Sequence, residues 1–274
     1  MIYGDFSRKL KREFREINGV KTAIFSTSFR ENRKTILLVH GINGSHFGLE
    51  FLAKNLAETF NLILIDLPGH GKSSLPDNPE HFALDDLRTW FEELVESLSL
   101  SQINIVAHSF GCYALTPKLS RKYKTIFICP VPSAKKSSRF LGLLTEQLFS
   151  LKIFAKIYNW VPFAAFRGDM MLRDTSRENR KKQHCVASAD AKTSSEFRKF
   201  QAKLAVTSFQ KDIFANVKPE LVIYGKYDFV PAENSTERLS LIFPNSQLVS
   251  LPTGHLPTTE APEKLAASIS SSLR

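Results

Sequence analysis

Apolar residues along this chain fall into two kinds of run that alternate. Ile36-Leu37-Leu38-Val39, Leu62-Ile63-Leu64-Ile65, Ile103 to Val106, Ile126-Phe127-Ile128 and Leu221-Val222-Ile223 are short runs with scarcely a polar residue, so each predicts a strand buried on both faces. Between them the spacing turns helical. Helices are expected over Phe47 to Thr59, over Leu84 to Leu98 with Leu84, Leu87, Phe91, Leu94 and Val95 on one face, over Ala232 to Phe243 and over Thr259 to Leu273. Glu13 to Ile17 and Val20 to Ser26 flank Asn18-Gly19, the pair best suited to a two-residue hairpin turn, and Ser246 to Leu251 reads as a last strand. Strands alternating with helices imply a mostly parallel sheet covered on both faces, with ligands beyond the carboxyl ends of the strands.

The alternation lapses between Val131 and Lys218. That stretch reads as amphipathic helical pieces broken at Pro162 and Gly168, with Phe140, Phe149, Phe154, Tyr158, Trp160, Phe163 and Phe166 on their apolar sides. Charge is concentrated there too. The 274-residue chain has a formal net charge of +10, and residues 131–206 hold fifteen Lys and Arg against six Asp and Glu, which leaves the remainder near neutrality. Arg173, Arg177, Arg180, Lys181 and Lys182 form the densest run, and a smaller cluster (Arg8, Lys9, Lys11, Arg12, Arg15) lies near the N-terminus.

Such a surface would attract anions, whether a carboxylated substrate, an anionic lipid surface or an acidic carrier protein. Nucleic acid is not an expected partner, since charge is unaccompanied by an aromatic-basic motif or zinc spacing. No apolar run approaches the ~20 residues of a membrane span, and Met1 to Phe14 lacks the apolar core of a secretory signal, so a cytoplasmic location is expected. Cys112, Cys129 and Cys185 have no metal-ligand spacing and read as packing thiols.

If ligands sit beyond the strand ends, reactive residues should follow strands directly. His40-Gly41-Ile42, Ser109, Asp228 and His255 all do. Ser109 lies where a strand turns into a helix, flanked two positions away by the small residues Ala107 and Gly111. Such a turn lifts a hydroxyl clear of the sheet. A serine hydroxyl is a weak nucleophile at neutral pH, so it needs a base within hydrogen-bond reach, and the base needs a third group to orient it. His255, in the loop after the last strand, can supply the base, and Asp228, after the preceding strand, the acid. Asp66 reads as structural, a residue holding its own turn by backbone hydrogen bonds, while His40 and His70 would organise loops near the site. Asn43 and His46 are candidates either for touching substrate or for capping a helix, and His108 is a further candidate substrate contact.

The order Ser, Asp, His resembles the α/β-hydrolase superfamily, in its serine-nucleophile, capped esterase- or lipase-like branch. The likeness extends to His40-Gly41, to Asp66-Leu67-Pro68-Gly69-His70-Gly71-Lys72-Ser73 and to Gly254-His255-Leu256-Pro257 followed by Glu260-Ala261-Pro262-Glu263. Ala107 stands where the family usually has the first glycine of the elbow, and Cys112 where a second is common. The resemblance implies an α/β-hydrolase fold, a mostly parallel eight-stranded sheet with helices on both faces. Residues 1–130 and 207–274 would form the core, and the basic residues 131–206 a helical cap inserted after the sixth strand. It also implies a Ser109-His255-Asp228 triad, an oxyanion hole from the backbone N–H groups of Ile42 and Phe110, and no cofactor or metal. The expected reaction is cleavage of a carboxylic ester or thioester through an acyl-enzyme. The same triad also serves carbon–carbon bond hydrolases and acyltransferases, and a non-catalytic binding relative with a basic surface is a further alternative.

Overall fold

A computed structural model describes residues 5–100, 102–132, 169–190, 194–208, 212–231 and 236–274. Eight strands form one sheet: β1 (Lys11–Ile17), β2 (Val20–Ser26), β3 (Thr35–Val39), β4 (Asn61–Ile65), β5 (Ile103–His108), β6 (Thr125–Ile128), β7 (Leu221–Gly225) and β8 (Gln247–Leu251). Their order is β1-β2-β4-β3-β5-β6-β7-β8. β1 and β2 form the expected hairpin, with Asn18 and Gly19 both at positive φ and Ile17 opposite Val20, and β2 meets β4 antiparallel. From β4 to β8 every neighbouring pair is parallel. β1 lies at an edge with Lys11 and Arg12 exposed, the kind of charge that discourages pairing with another chain.

The continuous apolar runs are used on both faces, because successive side chains of a strand point to opposite sides. Leu37, Val39, Ile63, Ile65, Ile105, Phe127 and Val222 face one core, completed by Leu87, Trp90, Phe91 and Leu94 of α3 (Leu84–Ser97). Ile36, Leu38, Leu62, Leu64, Val106, Ile126 and Ile223 face the other, against α2 (Glu50–Leu56) and the C-terminal helix. Each fully buried side chain of this size contributes about 1.5–3 kcal/mol. α1 (Asp5–Arg8) precedes the sheet.

Three helices depart from the periodicity. The stretch from Phe47 begins as a 3₁₀ turn, His46–Leu49, before α2. After Ser109 the chain makes only a 3₁₀ turn, Ser109–Ala114, then runs extended through Leu115 and Thr116 into α4 (Pro117–Lys122). Pro117 causes the break, since a residue before proline is driven out of the helical region, and Thr116 sits at φ −102°, ψ 161°. The last helix is divided in the same way at Pro262.

Between β6 and β7 the described residues include α5 (Arg177–Asp190) and α6 (Ser195–Ser208). α6 runs through the boundary drawn at 206, because a shift in composition marks where charge changes and not where a helix stops. Its Phe200 and Leu204 join the core beside α3. The seven aromatics from Phe140 to Phe166 lie outside the described residues. α7 (Thr236–Ile242), α8 (Pro257–Glu260) and α9 (Pro262–Leu273) complete the chain. No helix among the described residues is long and apolar enough to cross a membrane.

Candidate active site

β5, β7 and β8 run in the same direction, so the loops that leave their carboxyl ends share one rim. Ser109 is the first residue past β5 and holds φ +53°, a left-handed conformation costing about 1–3 kcal/mol for a non-glycine residue. Gly111 makes the turn tight, for a Cβ there would stand 2.5 Å from the carbonyl oxygen of His40. β7 and β8 pair with Gly225 beside Leu251, and Tyr227 N–H donates to the Thr253 carbonyl at 3.0 Å. That bond binds together the loops bearing Asp228 and His255.

The three side chains meet. His255 Nε2 lies 2.8 Å from Ser109 Oγ, and His255 Nδ1 lies 2.7 Å from Asp228 Oδ2. A carboxylate accepts only, so Nδ1 carries the proton and Nε2 is left to accept from the serine hydroxyl. Asp228 Oδ1 accepts from Val230 N–H at 2.9 Å, which fixes the carboxylate. The imidazole is braced from behind as well. His108 Nε2–H donates to the His255 carbonyl at 3.0 Å, and His255 N–H donates to the Met171 carbonyl at 3.0 Å. Glu260 accepts from the amides of Gly254, Arg173 and Asp174, each at 2.8 Å, joining the histidine loop to the start of the described inserted segment.

Above Ser109 lies a cavity of about 400 Å³, lined by His40 to Ser45 on one side, Met170, Met171, Val186 and Ala187 on another, and Phe229 and Val230 on a third. A model of the alpha/beta hydrolase family matches residues 36–268, from the second residue of β3 into α9.

The chain belongs to the alpha/beta hydrolase family.

Among curated relatives, "Probable lysophospholipase BODYGUARD 4" of Arabidopsis thaliana is 29% identical over 110 residues, 38% of this chain and 26% of that protein. Proline iminopeptidase of Lacticaseibacillus rhamnosus is 32% identical over 136 residues, 47% of this chain and 46% of that one. The chain therefore spans about a quarter to a half of the length of these relatives. The crystal structure of the enol-lactonase from Burkholderia xenovorans LB400 shares the fold, with TM-score 0.75 and 14% identity over 95% of this chain and 99% of that one.

In this family member the candidate substrate contacts part company. Asn43 and His108 line the cavity. His46 is not among the described residues of its wall; it is buried, stacked on Phe25 at 3.6 Å, with its Nδ1 2.9 Å from Asp66 Oδ1. Asp66 is the hub of a structural knot, accepting from the amides of His46 at 2.7 Å and Lys72 at 2.8 Å. Burial pushes its carboxyl up, but the charge and hydrogen bonds of His46 outweigh that and bring it below the usual range. His40 Nε2 accepts from Leu67 N–H at 3.0 Å, tying the loop after β3 to the loop after β4. Burial lowers His40, and lowers His70 and His108 to about 3, so these rings are neutral at pH 7.

Cys129 follows β6 with its sulfur, a carboxylate oxygen of Asp228 and a ring nitrogen of His255 all within 4.8 Å of one another. Burial first, then the charge of Asp228, pushes the thiol well above its ordinary value. The thiol is buried between the end of β6 and the acid of the site. None of the five residues of the dense basic run from Arg173 to Lys182 is among the described residues of the cavity wall. Arg198 is, together with Gln183, and no periodicity or motif had singled either out.

Proposed function

We propose that the chain is a serine hydrolase that cleaves a carboxylic ester or thioester through an acyl-enzyme on Ser109. The observation that carries the reading is the unbroken hydrogen-bond line from Ser109 Oγ through His255 to Asp228, at 2.8 and 2.7 Å. In this mechanism His255 Nε2 takes the hydroxyl proton as Oγ attacks the carbonyl carbon. The imidazolium so formed is stabilised by Asp228 and then protonates the leaving alcohol or thiol. Water, deprotonated by His255, attacks the acyl-enzyme in the second half. The oxyanion is received by the backbone N–H groups of Phe110 and Ile42. The tight approach of that loop supports this part, since a Cβ on Gly41 would stand 3.0 Å from Ser109 Cβ. One such donor is worth about 3 kcal/mol in the transition state.

Residues 131–206 act in this reading as a cap over the site, with Met170, Met171, Val186 and Ala187 giving an apolar wall suited to an acyl chain. The iminopeptidase relative raises peptide cleavage as a second reading. A peptide's terminal amine is largely cationic at neutral pH, and among the described residues of the cavity wall there is no Asp or Glu to receive it, which favours the ester.

The test uses 4-nitrophenyl acyl esters and a fluorophosphonate probe. Turnover and labelling in the wild type, both lost in Ser109→Ala, are expected. Wild-type protein that neither turns over esters nor takes the probe would leave the fold serving a binding role. Faster turnover of aminoacyl 4-nitroanilides than of esters would favour the peptidase reading.

A further inference from the structure

β1 closes one side of the sheet, and no strand lies beyond it among the described residues. Which of its backbone groups face outward follows from its neighbour β2. Lys21 N–H donates to Ser74 Oγ at 3.0 Å and the Lys21 carbonyl accepts from Ser74 N–H at 3.0 Å, so both groups point away from β1. Ala23 behaves alike, its N–H donating to Ser73 Oγ at 2.9 Å and its carbonyl accepting from Asp66 N–H at 3.1 Å. Lys21 stands opposite Glu16, and Ala23 opposite Phe14. Bonded and non-bonded pairs alternate along an antiparallel ladder, so the N–H and C=O groups of Arg12, Phe14 and Glu16 all point out from the edge.

The side chains of this edge run Arg12, Glu13, Phe14, Arg15, Glu16, an order in which the charges are complementary about Phe14. When an antiparallel copy is laid alongside with Phe14 opposite the partner's Phe14, Arg12 meets the partner's Glu16 and Glu13 meets the partner's Arg15. Outward-facing residues then stand opposite outward-facing residues, and each such pair exchanges both backbone bonds. A two-fold placed instead at Lys11, Arg12, Glu13, Arg15 or Glu16 would set a charge opposite its own kind, which is destabilising. Charges on an edge turn away most strands, but here they fit a second copy in one register. Phe14 is 41% exposed, with Lys21 Nζ 5.0 Å and the Arg12 guanidinium 5.5 Å from its ring centre, and the pairing would bring a second ring beside it. Glu13 and Arg15 are already joined at 2.7 Å, so across the axis they would meet their copies as a cluster of alternating charge.

We propose that two copies of this chain associate edge to edge through β1, antiparallel about a two-fold axis at Phe14, so that one sheet continues from copy to copy. β2, β4 and β3 separate β1 from β5, and turnover at Ser109 does not depend on the pairing. A single strand pair lies at the small end of stable interfaces, so the dimer should form on the order of tens of micromolar.

Sedimentation equilibrium of the full chain, from about 1 to about 300 μM, tests this. The average mass should rise from that of one chain to that of two and stop there, because a two-fold pairing is closed. Phe14→Pro removes an N–H that β2 does not use, so it should keep the fold and weaken association by tenfold or more. Arg12→Glu and Glu16→Arg should each weaken it on the order of tenfold, since each sets like charges opposite one another. An equimolar mixture of these two variants restores opposite charges at both positions and should associate about as the wild type does. Circular dichroism reports the fold of each variant, and if Phe14→Pro does not fold, the mixture decides. A mass of one chain at every concentration, growth past two chains, a dimer indifferent to all three substitutions, or a mixture no more associated than its components would overturn the proposal.

Discussion

Asp228 and His255 sit 2.7 Å apart, and that bond decides which ring nitrogen faces Ser109. In Asp228→Asn the amide can donate to Nδ1, which turns the imidazole to the tautomer that cannot accept the serine proton. Steady-state kinetics should then show kcat down by about 10⁴ with KM little changed. A loss below tenfold would mean that the carboxylate does not orient the base. The three could be singled out in the sequence because each lies in the segment just past a strand and they stand in an ordered set. His46 is a different case: it lies near His40-Gly41 in sequence, yet its Nδ1 is 2.9 Å from Asp66 Oδ1 and it is not among the described residues of the cavity wall. Arg198 could not be found at all, since one arginine on a basic amphipathic helix looks like its neighbours until the helix is docked.

At the scale of elements, the elbow after β5 holds a strained serine against the loop after β3, and Gly111 is what permits the contact. Gly111→Val would drive its Cβ into the His40 carbonyl, 2.5 Å away, where backbone has little freedom to give. The variant should lose about 1–3 kcal/mol of stability in urea unfolding and, on the proposed mechanism, most of its turnover of 4-nitrophenyl esters. Unchanged stability and activity would show the turn to be looser than described. Buried parallel strands declare themselves as continuous apolar runs, so β3 to β7 were readable in that way; β1 and β2 were legible from the Asn18-Gly19 turn between them, and β8, only partly buried, from its place in the alternation. Helix ends were read less well. Pro117 keeps Thr116, and Pro262 keeps Ala261, out of the helical region, so a helix restarts at each proline where the periodicity alone would continue. The inserted segment announced its basic character but not that Phe200 and Leu204 of α6 are packed into the main core.

At the scale of the whole molecule, several neutral imidazoles are enclosed within the fold. Burial holds His70 and His108 at about 3. In the unfolded chain each takes up a proton below its ordinary pKa of about 6.5, whereas the folded protein does so only near 3. Their contribution to stability is therefore fully present above pH 6.5 and falls as the pH drops through the window toward 3. Together they should remove roughly 4 kcal/mol between pH 7.5 and 5, read as a falling urea midpoint. His70→Gln should flatten that slope, and a wild-type midpoint constant over this range would contradict the burial of both rings.

On the proposed mechanism Ser109 carries an acyl group during turnover. Rapid quenching of the reaction with a 4-nitrophenyl ester, followed by mass spectrometry of the digested protein, tests it most directly. A burst of nitrophenol close to one equivalent per chain is expected, with a mass increase equal to the acyl group on the peptide containing Ser109. Turnover with the acyl group found on another residue, or sustained at the wild-type rate in Ser109→Ala, would contradict it.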